Sequence, residues 1–76
     1  MPRDQYTWGE TVKIATGAPK IYRPGKLAEI CSMWKIETDE NSKARGEPIG
    51  TVIYSIEFGD GMLMEIPDRY LEKYQE

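Results

Sequence analysis

Val52-Ile53-Tyr54-Ser55-Ile56-Glu57-Phe58, then Gly59-Asp60-Gly61, then Met62-Leu63-Met64-Glu65-Ile66-Pro67 is the stretch from which the fold can be read. Val52, Tyr54, Ile56 and Phe58 alternate with Ile53, Ser55 and Glu57, the period-2 pattern of a half-buried strand. Met62, Met64 and Ile66 alternate with Leu63 and Glu65 in the same way beyond the turn. A three-residue loop sets Phe58 opposite Met62, Ile56 opposite Met64 and Tyr54 opposite Ile66, all six on one face. A two-residue loop would set Glu65 across from Ile56, because a one-residue slip inverts every side chain. Gly61 supplies the left-handed residue that closes a three-residue hairpin. The hairpin predicts a small all-β domain.

Working outward, the 76 residues make a single domain with one core and room for only a shallow surface site. One cysteine, Cys31, precludes an internal disulfide, so the chain is not a cysteine-stapled scaffold. No apolar run approaches the length of a membrane span, and the N-terminal M-P-R-D-Q-Y-T-W has no hydrophobic segment after its charges. A cytoplasmic location is the expectation. The net charge of −3 hides an asymmetry: residues 1–35 carry six basic side chains against three acids, and residues 36–76 carry four against ten. An acidic patch along Glu37-Thr38-Asp39-Glu40 and the C-terminal segment would steer a basic partner and repel a nucleic-acid backbone.

The punctuation along the chain is regular. Residues 1–8 form a lead-in, with Tyr6 and Trp8 expected to lie back on the body of the domain, and residues 9–76 form the domain proper. Residues 10–16 read as the first strand, with Val12 and Ile14 inward. Gly17-Ala18-Pro19 and Arg23-Pro24-Gly25 bracket an irregular loop. Residues 27–37 read as a long second strand, with Ala28 and Ile30 on one face and Glu29 and Cys31 on the other. Residues 38–50 are polar and apolar-poor, which predicts a flexible excursion. After the hairpin, Asp68-Arg69-Tyr70 predicts one helical turn, and residues 71–74 a brief last strand. No internal repeat appears.

Five short strands in this order, with a one-turn helix before the last, resemble the five-stranded SH3-like barrel in its small bacterial and plastid versions. The resemblance is carried by G-E-T-V-K-I opening strand one, R-P-G-K-L-A-E-I leading into strand two, and I-E-F-G-D-G…I-P-D-R-Y-L-E at the end. Small accessory subunits of redox and photosynthetic complexes, the barrel of nitrile hydratase and some toxin-immunity proteins are laid out similarly. The signalling family's A-L-Y-D-Y is absent; Ala18-Pro19-Lys20-Ile21-Tyr22 occupies that loop, so the resemblance does not imply binding of proline-rich peptides.

The residue inventory argues against catalysis by this chain alone. With no histidine, the commonest general base and metal ligand is missing. One cysteine cannot build a zinc site, and neither Asp39 and Glu40 nor Asp60 and Glu65 has calcium-loop spacing. No phosphate-cradling glycine loop is present. The expectation is a non-enzyme with no cofactor and no metal.

Three constellations suit binding instead. Trp34, Met33, Ile53 and Leu63 are expected to form an outward apolar centre rimmed by Glu29, Glu57 and Glu65, a docking surface for a protein with a basic surface. Trp8 and Trp34 fit either the core or an interface. A second constellation is the loop with Lys20, Tyr22, Arg23 and Lys26, the alternative site, which could meet a phosphate backbone. The third is the aromatic set Tyr6, Trp8, Trp34, Tyr54, Tyr70 and Tyr74, residue types that anchor interfaces. The expected function is a protein-interaction module, monomeric or weakly homodimeric: an immunity protein or an accessory subunit. Nucleic-acid binding is the alternative.

Overall fold

The computed structural model describes residues 6–74; residues 1–5 of the lead-in and the last two residues lie outside that range. Five strands, β1 (Thr11–Ile14), β2 (Leu27–Lys35), β3 (Val52–Phe58), β4 (Leu63–Pro67) and β5 (Leu71–Lys73), pair antiparallel in the order β4-β3-β2-β1-β5. One short helix, α1 (Asp39–Arg45), lies between β2 and β3. A 3-10 turn at Lys20–Tyr22 interrupts the long first loop, and a second at Asp68–Tyr70 separates β4 from β5. The two edge strands are not paired with each other, so the sheet is open.

The hairpin has the register its alternation requires. Tyr54 faces Ile66 and Ile56 faces Met64, while the Phe58 amide donates to the Met62 carbonyl at 2.9 Å. Gly61 holds φ at +88°, with its amide bonded to the Phe58 carbonyl at 2.9 Å. Open space surrounds the position of a Cβ there, so the constraint is the backbone angle alone. Gly61→Val is therefore expected to destabilise the domain by about 1–2 kcal/mol, the cost of a left-handed L-residue. A urea midpoint unchanged by the substitution would contradict this assignment.

Every strand contributes to one core: Val12 and Ile14 from β1, Ala28 and Ile30 from β2, Val52, Tyr54, Ile56 and Phe58 from β3, Ile66 from β4 and Leu71 from β5. A single flat sheet would leave such a face in water, so the sheet curls over its own concave side. Tyr6 closes one end. Its amide donates to the Tyr54 hydroxyl and its own hydroxyl to the Leu71 carbonyl, both at 3.1 Å. The Tyr6 and Tyr54 rings meet edge-on with centroids 5.5 Å apart. Trp8, expected to lie against the body like Tyr6, is instead 77% exposed on a turn. Met62, at the hairpin mouth, is also exposed, so five of the six aligned residues face inward rather than six.

Two further features depart from the sequence reading. The pairing of β2 with β3 shifts by one residue between Ile30 and Ser32, a β-bulge at Cys31. Before the bulge Ala28 and Ile30 face the core; after it Met33 opposite Tyr54 does, and Trp34 turns outward. The second departure is α1, where a flexible excursion was expected. The Thr38 hydroxyl caps its first turn by accepting from the Asn41 amide at 3.1 Å, and Gly46 ends it in the left-handed conformation. Asp39 and Glu40 at its start and Lys43 and Arg45 at its end suit the helix dipole.

Candidate functional site

The alternation of β2, β3 and β4 places three rows of side chains on the convex face. Pro67, Ile53 and Trp34 form the first, Glu65, Ser55 and Ser32 the second, and Leu63, Glu57, Glu29 and Thr11 the third. Five of the seven residues expected to form a docking surface lie in these rows as exposed or half-buried side chains: Trp34, Leu63, Glu29, Glu57 and Glu65. Met33 is not among them, because the bulge sends it to the core. Ile53 is on the convex side, yet it is only 2% exposed and therefore not the solvent-facing residue its position in the alternation implied.

Part of the cover over Ile53 comes from residues 38–50. Trp34 and Pro67 flank Ile53 in its row, and Arg45 and Glu47 join it around a hollow of about 100 Å³ that Tyr22, Glu65, Ile66 and Pro67 complete. The Arg45 guanidinium lies over the Trp34 ring, 5.1 Å from its centroid, and forms an ion pair with Glu65. Two residues beyond Arg45, Glu47 has both carboxylate oxygens gripped by Arg69, one contact at 2.9 Å, and Arg69 stacks 4.6 Å from the Tyr70 centroid. Glu47 and, to a smaller degree, the Tyr70 hydroxyl hold the Arg69 guanidinium pKa further above its usual value. Arg45, Glu47 and Arg69 were absent from the sequence-based candidates. The Thr38-to-Gly46 capping pattern is the signal that could have located the first two.

The third row is electrostatically unbalanced. Glu29 and Glu57 stand directly opposite one another, both exposed, and neither has an ion-pair partner among the described residues. Directly opposed like charges destabilise a strand pair. They line an open groove of about 380 Å³ with Thr11, Leu27 and Gly59, and Leu63, 67% exposed, adjoins Glu57 on the edge strand. Leu27, 42% exposed, adds apolar surface that the sequence reading did not single out.

The basic loop is arranged differently. Tyr22 stacks on Tyr70 with centroids 5.4 Å apart. Arg23 pairs with Asp60 at 3.0 Å, lies 4.8 Å from the Phe58 centroid and reaches the Met62 sulfur. The Met62 amide and then Arg23 hold the Asp60 carboxyl below its usual pKa. Arg23 thus pins the first loop to the hairpin and Tyr22 pins it to the 3-10 turn at Asp68–Tyr70, leaving Lys20 and Lys26 exposed. Among the described residues no group of three or more potential ligands could hold a metal ion, and no helix is long and apolar enough to cross a membrane.

No family model, curated protein or solved structure matches this chain. Its functional reading therefore rests on the residues of the convex face themselves.

Proposed function

We propose that this chain is a non-enzymatic, cytoplasmic protein-interaction module that docks the convex face of β2, β3 and β4 on a basic surface of another protein. The observation that carries the reading is the Glu29–Glu57 pair. Two uncompensated carboxylates face each other across a ladder, an arrangement that destabilises the strand pair. An exposed leucine stands beside them. Lysine or arginine side chains from a partner would relieve that repulsion while Leu63 and Leu27 are covered, which gives attraction and register together. The strand order, the tight hairpin and the 3-10 turn between β4 and β5 support an SH3-like barrel, with β4 and β5 acting as one interrupted wall. A toxin-immunity protein and an accessory subunit are the two forms of module that this scaffold suits.

Glu57→Lys tests the reading because it moves stability and binding in opposite directions. It places an opposite charge across from Glu29, so the isolated domain is expected to gain a few tenths of a kcal/mol in urea unfolding. Capture of partner from source-cell lysate by the tagged domain is expected to fall at least about tenfold, as for a lost central contact. Retention of the same protein by Glu57→Lys would overturn the assignment. Recovery of nucleic acid that elutes with salt and disappears with nuclease would transfer the function to Lys20 and Lys26.

A further inference from the structure

The contacts that Arg45 makes describe a receptor for its own side-chain type. An indole face and a carboxylate converge on one guanidinium, the combination that favours a planar, weakly hydrated cation over an ammonium. The receptor is accessible, since the Arg45 and Glu65 side chains are 41% and 38% exposed, and the 100 Å³ hollow opens beside it. Its present occupant is held weakly. The seven-residue α1 buries no residue, and so short a helix has little stability of its own. Exposed ion pairs add little.

We propose that the Trp34 ring and the Glu65 carboxylate form a binding site for an arginine side chain of the partner protein, which Arg45 fills in the free domain. The proposal deepens the docking reading: the basic partner presents arginine, and its guanidinium exchanges with that of Arg45. Exchange releases the Arg45 side chain from the convex face and brings Trp34 into the interface, while Arg69 keeps its hold on Glu47. Glu29 and Glu57 attract the partner, and the Trp34–Glu65 site selects arginine over lysine.

The test uses N-acetyl-arginine amide and N-acetyl-lysine amide as probes and Trp34 fluorescence as the readout. Trp8→Phe is the common background, leaving one tryptophan. Arg45→Ala is expected to bind the arginine amide saturably, about tenfold more tightly than the background protein does, because the internal competitor is gone. The lysine amide should bind several-fold more weakly, and adding Glu65→Gln should abolish the preference. Absence of saturable binding to Arg45→Ala, equal binding of both amides, or binding unaffected by Glu65→Gln would each overturn the proposal. Far-UV circular dichroism checks that the sheet persists, and if Arg45→Ala fails to fold, Arg45→Lys serves, with an intermediate gain expected. Because Glu29 and Glu57 are untouched, this result is read independently of the Glu57→Lys capture.

Discussion

Tyr54→Ala is expected to remove a large share of the domain's stability. Tyr54 is fully buried, meets the Tyr6 ring edge-on, and its hydroxyl accepts the Tyr6 amide proton. Truncation leaves a cavity at the centre of β3 and a buried amide without its acceptor. Large aromatic truncations in cores cost about 3–5 kcal/mol. A chain of 76 residues has roughly 4–11 kcal/mol of stability in total. Tyr54→Phe separates the two contributions, since it keeps the packing and deletes only the acceptor; about 1 kcal/mol is expected. Urea unfolding followed by circular dichroism measures both variants. A loss below 1 kcal/mol for Tyr54→Ala would show that β3 does not run through the core centre.

Ile53→Ala is expected to cost about 3 kcal/mol, a core-sized loss from a residue on the convex face. The sequence alternation assigns Ile53 to solvent, where truncation would change stability by less than about 0.5 kcal/mol. The two expectations differ sixfold, so one midpoint measurement decides between them. The burial of Ile53 depends on Trp34, Pro67 and the segment that Arg45 and Arg69 hold down. Arg45→Ala should therefore reduce the effect of Ile53→Ala, a coupling that a double-mutant cycle reads directly.

These residues show which parts of the molecule are legible from sequence. The hairpin is legible because its period and its loop length constrain each other: only one register leaves every charge outside. The bulge at Cys31 is not. Strict alternation from Ala28 and Ile30 would carry Ser32 and Trp34 inward, and no residue type there marks an insertion, since this bulge uses no glycine. Alternation therefore sets Met33 outside and leaves Trp34 open between core and interface, whereas the bulge sends Met33 to the core and Trp34 outward. Helix α1 has legible ends, Thr38 and Gly46, yet its middle lacks the apolar stripe by which amphipathic helices are recognised. The cover over Ile53 depends on ion pairs between residues distant in sequence, Arg45 with Glu65 and Glu47 with Arg69, and local pattern cannot contain those. The acidic rim was legible as charge. Its imbalance became visible only once the register set Glu29 opposite Glu57.

The pairing of β1 with β5 bears on the order in which the domain can be made. Thr11–Ile14 has β2 on one side, but its other side stays open until Leu71–Lys73 has been synthesised. The Tyr6 hydroxyl waits for the Leu71 carbonyl over the same interval. On the ribosome β1 and β2 emerge first and the hairpin only shortly before β5, so the first strand keeps an open edge through most of synthesis until the last strand arrives. Closure between such distant segments belongs to the slow end of small-domain folding, milliseconds to seconds. Nascent chains cut short of Leu71 should be captured by chaperones and degraded, and chains that extend past Lys73 should escape both.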